Sequence, residues 1–519
     1  MPALPECLAP LLDPAAHEPP VDTVRLIETH ISWLLLAGAY AYKIKKPVDL
    51  GFLDFSTLER RRFYCAEEVR LNRRLAPEIY IDVAPLYAGP RGMRFKGEGE
   101  PVEWAVRMHA FAAEATLDRA ANLTSAQIDA IARRIAEFHA HLPPLATPNP
   151  FGDPVAVMQP ARDNFSHIQR LWPPDDPAQA RLQILAAWTE AEFSRLSAHF
   201  QRRKDEGHIR ECHGDLHLGN IAWVKDAPLI FDALEFSPEL RHIDPISEVA
   251  FLYMDLLARG EAGLAWRFTD QYLARSGDYL GMAGLRFYAT YRAMVRAKIA
   301  AIRARQHDDA SAAAEFGRYI ALADHIAAAP RPALWLMHGF SGSGKSWVAE
   351  RLVEALGAIR LRSDVERKRI HGLLPETPAT QEQSARIYTS AATAATFARL
   401  ENLADVLLAA GYTAIVDATF LDRALRARFI ALAARHGLRA ELIAVTAPIE
   451  RIRQRLMQRG AQGKDPSDAD STVLEAQLAR YLPPSPNEGA RLHALDSTSA
   501  DALSRLVAAL DAARSESRP

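Results

Sequence analysis

The 519 residues contain only three cysteines, Cys7, Cys65 and Cys212, too few for a disulfide framework. Charge of one sign is not in excess: 62 Lys and Arg stand against 64 Asp and Glu, a formal net charge of −2. There is thus no overall basic field to draw the chain to nucleic acid or an anionic membrane, and neither is an expected partner. The longest apolar stretch, Trp33 to Tyr42, is about half a membrane span, so no transmembrane helix is expected. The opening residues MPALPECLAP carry Glu6 early and no basic region, which argues against a secretory signal. Disorder is excluded by composition, since 49% of residues are hydrophobic and 24% charged. These absences leave a soluble, cytoplasmic chain of about two to four folding units at roughly 150 residues each.

Two regions read differently. The join is placed at Ala327-Ala-Ala-Pro330-Arg-Pro332, where prolines stop a preceding Ala-rich helix. It separates a domain at 1–326 from one at 333–519. In the first, Ala41 to Lys46 alternates as a strand and Leu58 to Leu75 has helical period. Pro101 to Phe111 reads as a second strand. Thr124-Ser-Ala-Gln127 has the form of a capping box opening a helix to His141. The segment with Pro143, Pro144, Pro148, Pro150, Pro154 and Pro160 reads as a loop, and helices dominate from Pro177 to Arg203 and from Ile246 to Ala329. In the second domain, strands at Ala333–Met337, Ala358–Arg362, Ala414–Val416 and Leu442–Val445 alternate with helices, which implies a doubly wound parallel sheet.

Gly339-Phe-Ser-Gly-Ser-Gly344-Lys345-Ser346 fits G-x-x-x-x-G-K-[ST] between a buried strand and a helix. Glycines at 339, 342 and 344 let the backbone N–H groups, those of Ser341 and Ser343 among them, turn inward around a polyphosphate at the positive end of the helix. Lys345 would reach the β/γ-phosphates of ATP and Ser346 would hold Mg2+. Asp417 ends a strand where a carboxylate would meet the metal or its water. Asp364 follows the second strand, at the sheet edge where ligands gather. Arg455 and Arg459 lie four apart on a predicted helix before the polar loop Gly460 to Asp470, the arrangement of a lid presenting arginines to phosphate.

These residues resemble the small P-loop kinases, the group of gluconate kinase, polynucleotide 5′-kinases and zeta-toxin-like enzymes. The likeness rests on Gly339–Ser346, Ser363-Asp364-Val-Glu-Arg367, Asp417-Ala-Thr-Phe420 and Arg455/Arg459. It implies that Asp364 is the general base for an acceptor hydroxyl.

A second constellation lies upstream. His213-Gly-Asp215-Leu-His-Leu-Gly-Asn220 has the D-x-x-x-x-N spacing of a kinase catalytic loop, in which a carboxylate takes the hydroxyl proton and an amide oxygen meets Mg2+. Twelve residues later the strand Leu229-Ile-Phe231 delivers Asp232, a hard-oxygen ligand. The region 25–325 resembles the aminoglycoside phosphotransferase family, which shares the bilobal α+β protein-kinase-like fold. The resemblance implies Asp215 as catalytic base and Asn220 and Asp232 as metal ligands. It places Lys45 on the nucleotide phosphates, with Lys43 the alternative on the same strand face, and Glu68 as the helix partner. It sets adenine against the backbone near Arg107 to Phe111. No Gly-rich loop precedes the lysines, and Asp232 is followed by Ala-Leu rather than Phe-Gly. No activation segment ending A-P-E is seen, which disfavours protein kinase activity.

A competing zinc site from His208, Cys212, His213 and His217 is disfavoured, because Gly214 breaks the helix such spacing needs. His338, beside the phosphate loop, reads as a packing residue. The expectation is a bifunctional ATP-dependent phosphotransferase with two MgATP sites and small hydroxylated acceptors. Two alternatives stand beside it: a P-loop kinase regulated by a non-catalytic, nucleotide-binding kinase-like domain, and a nucleic-acid end kinase in the C-terminal domain. The acceptor, the oligomeric state and the coupling between domains are not encoded in any motif.

Overall fold

The structure is a computed structural model that describes residues 5–516, except 18, 52, 308, 329, 376, 378–379, 463–470 and 480. The chain forms two compact units: Met1–Ala130 with Phe138–Val157 and Phe200–Leu252, and Ile131–Glu137 with Met158–His199 and Tyr253–Pro519.

The first unit is built on six antiparallel strands, β1 (Val24–Glu28), β2 (Ser32–Ala37), β3 (Tyr40–Lys45), β4 (Tyr80–Gly89), β5 (Gly92–Arg94) and β6 (Glu103–His109), in the order β1-β2-β3-β6-β4-β5. Strand alternation sorts β3 cleanly. Tyr42 and Ile44 join Leu35 and Ala105 on an outer face, beneath Leu8 and Leu11 of the N-terminal turns. Ala41 faces the other way with Val106 and Met108, against Cys65 and Val69 of the helix Leu58–Asn72. Thr57 caps that helix through the Arg60 N–H.

Two short ribbons follow: β7 (Arg210–Glu211) pairs with β10 (His242–Ile243), and β8 (Ile221–Val224) with β9 (Ala227–Ile230). The β8–β9 hairpin closes over Lys225 and Asp226, whose φ values of 49° and 59° suit a two-residue left-handed turn. Asn220 enters this hairpin and Asp232 leaves it. The tight turn therefore brings the two together, with the Phe231 N–H 3.0 Å from the Asn220 carbonyl oxygen.

The second unit contains helices and one parallel sheet: β11 (Leu334–His338), β12 (Ile359–Arg362), β13 (Ala414–Asp417), β14 (Glu441–Thr446) and β15 (Arg491–Asp496), ordered β12-β13-β11-β14-β15. Trp335, Met337, Ile415 and Ile443 pack with Val348 and Leu352 in its core. The helix Ala310–Ala327 ends before Pro330, where the sequence marks a stop.

Helix 125–141 has its capping box in place. The Pro-rich segment differs from expectation: the helix Pro154–Leu171 begins inside it, with Pro154 at its first position and Pro160 within. A first-turn proline lacks only an N–H that would have no partner there. Among the described residues no helix is long and apolar enough to cross a membrane.

Candidate active sites

In the first unit, the two lysines of β3 point to one side and divide the work. Lys45 is fully buried, 2.7 Å from Glu68 Oε2 and bonded also to Glu235. Burial pulls its ammonium toward neutrality, but Glu235 and Glu68 outweigh this and raise its pKa. Lys43, the next lysine toward the open end, is 2.9 Å from Glu68 Oε1 and 2.6 Å from Asp232 Oδ1. Burial again opposes its charge, and Asp232 and Glu68 hold it protonated. Glu68 feels burial pushing up but falls to about 2 beside the two cations. Burial, reinforced by the Glu68 charge, pushes Glu235 up against the pull of Lys45.

The geometry thus puts Lys43, rather than Lys45, beside the metal-binding candidate Asp232. Lys45 is enclosed between carboxylates with no exposed surface for a phosphate to reach. Glu68 partners both. Glu235, three residues past Asp232, was invisible to motif spacing because its partner lies 190 positions away.

Asp215 and Asn220 are also brought together. Asn220 Nδ2 donates to the Asp215 carbonyl oxygen at 2.9 Å and to Oδ2 at 3.1 Å, which turns its amide oxygen the other way, as a cation ligand requires. His217 Nδ1 accepts the Gly219 N–H at 3.1 Å. Its proton therefore sits on Nε2, 3.4 Å from Asp215 Oδ2.

Behind the loop, buried His213 donates from Nε2 to the Phe231 carbonyl oxygen at 2.8 Å while Nδ1 accepts the Asp215 N–H. Burial lowers its pKa, so a neutral imidazole ties the Asp215 loop to the Asp232 loop. Asp232 itself has a φ of 63° and its N–H lies 3.2 Å from the Tyr80 hydroxyl. A non-glycine residue in this region is characteristic of constrained functional loops.

The zinc reading of Cys212 with His208, His213 and His217 does not match the packing. Cys212 instead lies near His139 and Glu248, the one close group of three such side chains among the described residues. Glu248 is committed there, accepting the Gly214 N–H at 2.7 Å and bonding His139 at 2.7 Å. Burial raises the Cys212 thiol pKa well above its ordinary value.

The second unit holds the phosphate loop. Gly339 has a φ of 140°, and a Cβ there would fall 2.3 Å from the Val445 carbonyl oxygen, so only glycine fits. Gly342 and Gly344 also have positive φ, and Gly344 caps the helix Lys345–Leu356. Asp417, at the end of β13, is paired in register with Arg362 of β12. Its Oδ2 is buried with no hydrogen-bond partner, as is the Ser343 hydroxyl. An orphaned buried carboxylate oxygen beside a phosphate loop fits a Mg2+ site.

Arg360 is buried between Asp270, 3.4 Å away, and the Ser346 carbonyl oxygen at 3.2 Å. Asp364 opens the helix Ser363–Ile370 directly after β12 and is half-buried. Arg455 reaches the loop, donating to the Ser343 carbonyl oxygen at 3.1 Å and the Ser497 hydroxyl at 3.0 Å. Residues 460–462, expected in the polar loop, instead end the helix Ile449–Gln462, while the side chain of Arg459 and residues 463–470 lie outside the described residues.

One contact at this loop had no sequence signal. Gln477, in the helix Ser471–Ala479, accepts the Ser341 N–H at 3.0 Å and donates to its hydroxyl at 3.1 Å. His338 donates from Nδ1 to the Phe420 carbonyl oxygen at 3.1 Å. Its pKa is lowered by burial to about 4, in keeping with a packing role.

Comparison with known proteins gives two family matches. Residues 60–288 match the family described as "Phosphotransferase enzyme family" and residues 334–484 that described as "AAA domain". Over 471 residues the chain is 31% identical to two mycobacterial proteins, Uncharacterized protein Rv2004c of Mycobacterium tuberculosis and Uncharacterized protein Mb2027c of Mycobacterium bovis. The match spans 90% of this chain and 92% of each relative. The chain belongs to their family. This chain joins a phosphotransferase-family domain to a P-loop kinase-like domain, as the residue patterns imply. Among solved structures, a gluconokinase from Sinorhizobium meliloti 1021 is 21% identical, covering 36% of this chain and 94% of its own, with a TM-score of 0.25. A choline/ethanolamine kinase family protein from Mesorhizobium loti is 13% identical, covering 59% and 88%, with a TM-score of 0.37.

Proposed function

We propose that the chain is a bifunctional ATP-dependent phosphotransferase, with one MgATP site in a module at 1–326 and another in a module at 333–519. Each would pass the γ-phosphate to a hydroxyl of a small molecule. The observation that carries this reading is Lys43 bonded at once to Glu68 and Asp232, beside Asp215 oriented by Asn220. A site that only bound nucleotide would have no chemical need for Asp215.

In the first module, Lys43 is the cation for the nucleotide phosphates, and Glu68 keeps its ammonium aimed. Asp215 Oδ2 is held by Asn220 and faces His217, which fixes the carboxylate that takes the acceptor hydroxyl proton as the oxygen attacks phosphorus. Asn220 and Asp232 are the residues that would hold Mg2+, with adenine at the backbone near Arg107 to Phe111. In the second module, the loop amides and Lys345 cradle the phosphates and Arg455 steadies the loop. Ser346 and Asp417 are the corresponding metal residues, and Asp364 is the base. Bound Mg2+ would supply charge neutralisation on the phosphate oxygens. A cytoplasmic location is consistent with free thiols and a need for ATP.

The test is phosphate transfer from ATP to a panel of hydroxylated small molecules, run on wild type, Asp215→Asn and Lys345→Ala. Asp215→Asn should cut transfer at the first site by about 10²–10⁴-fold while nucleotide binding persists. A product made equally by wild type and Asp215→Asn, and lost only in Lys345→Ala, would leave the first module regulatory. Transfer to nucleic-acid ends alone would replace the small-molecule reading.

A further inference from the structure

The first unit carries a large cavity on the face of its sheet away from Lys43. It has a volume of about 700 Å3, within the range of small-molecule sites. Its walls come from the N-terminal turns, the β4–β5 hairpin and the outer face of the sheet, where Tyr42 and Arg107 are direct cross-strand partners. Tyr42 alternates with Lys43 along β3, so this face is opposite the one that presents Lys43 to Asp232.

Two features of the lining point to a ligand. The first is His17, 4% exposed. Its Nε2 lies 2.8 Å from the Leu11 carbonyl oxygen, so that nitrogen carries the proton and Nδ1 is left as an acceptor. Nδ1 is buried and has no hydrogen-bond partner, an arrangement native structures keep rare unless something else fills the bond. The ring sits 5.6 Å from Phe95 and 5.9 Å from Tyr42, a firm aromatic wall rather than a mobile surface side chain.

The second feature is charge. Arg91, Arg94, Lys96 and Arg107 line the cavity against only Asp13 and Asp82. Asp82 is taken by Arg107, with Nε to Oδ1 at 2.9 Å, and Asp13 Oδ1 accepts the Ala15 N–H at 3.0 Å. Arg91 and Arg94 leave a cationic surplus, in a chain whose overall charge is −2.

We propose that this cavity binds a small metabolite bearing phosphate or carboxylate together with a hydrogen-bond donor. Its oxyanion is taken by the arginines of the β4–β5 hairpin and Arg107. Its hydroxyl or N–H fills the bond that His17 Nδ1 offers. Because Tyr42 shares β3 with Lys43, occupancy is felt one residue from the lysine of the phosphotransferase site.

The test is calorimetric titration of the full chain with 3-phosphoglycerate, which carries both oxyanions and a hydroxyl, under saturating MgADP to fill the nucleotide sites. Binding is expected, weakened about tenfold or more by Arg94→Ala and by Arg107→Ala. His17→Phe, which keeps an aromatic ring but offers no acceptor, should weaken it severalfold. If that variant folds poorly, Arg94→Ala, at an exposed position, carries the test alone. Asp215→Asn and Lys345→Ala should bind as wild type does. No heat at millimolar 3-phosphoglycerate, or binding that Lys345→Ala removes and Arg94→Ala does not, overturns the proposal.

Discussion

The two candidate sites are built by opposite means. In the second unit the cradle is backbone: glycines 339, 342 and 344 take positive φ so that consecutive amides converge, and one short segment supplies nearly everything. In the first unit it is side chains from separate elements. Lys43 comes from a strand, Glu68 from a helix, Asp215 and Asn220 from a loop, and Asp232 from beyond a hairpin. A backbone cradle is written contiguously in the sequence. A side-chain cradle exists only after long-range packing, and its members need buried counter-charges to hold them. The first site should therefore be more sensitive to single substitutions away from the ligand, and the second more sensitive within its own loop.

The sharpest way to separate the two lysines of β3 is to remove each. Lys45→Met would leave Glu235 buried without its cation and Glu68 with Lys43 alone, and should cost about 3–5 kcal/mol of stability in denaturant unfolding. Lys43→Met should cost far less stability, since Lys45 still holds Glu68, but should abolish nucleotide-dependent transfer at the first site. Equal stability losses would show that the fully buried and the partly buried lysine are not divided as described.

A pH titration probes the second unit. His338 is held at about 4 by burial, below its ordinary value near 6.5. From pH 6.5 downward the unfolded chain takes up a proton that folded His338 refuses until about pH 4. Its contribution is therefore intact above pH 6.5 and lost as pH falls, by roughly 3 kcal/mol at the limit. Chemical denaturation of wild type and His338→Gln across pH 7 to 4 should show the difference between them shrinking. A constant difference would mean that His338 titrates normally.

The smallest expected effect concerns Gln477, whose amide occupies the Ser341 N–H that a phosphate oxygen would need. Gln477→Ala should tighten ATP at the phosphate loop about 3–10-fold, read by fluorescence titration. Unchanged affinity would mean that the contact survives nucleotide binding.

What the sequence made legible follows from the same contrast. The phosphate loop, Asp417 at a strand end and the Asp215–Asn220 spacing were all readable, because each is local or fixed by a short element. Asn220 and Asp232 were readable as a pair because a two-residue turn joins their strands. The different partners of Lys43 and Lys45 were not, since same-face alternation leaves both candidates and their contacts to Asp232 and Glu235 are long-range. β1, β2 and β4 escaped because their burial is mixed along both faces. β15 was missed although Leu492, Ala494 and Leu495 are apolar, because it lies at the sheet edge with little buried surface.

The central claim is that the two modules each bind MgATP, through Lys43 in one and Lys345 in the other. Calorimetric MgATP stoichiometry on wild type, Lys43→Met, Lys345→Ala and the double variant tests it directly. Two sites are expected in wild type, one in each single variant and none in the double. A single wild-type site that persists in Lys43→Met and vanishes in Lys345→Ala would contradict it.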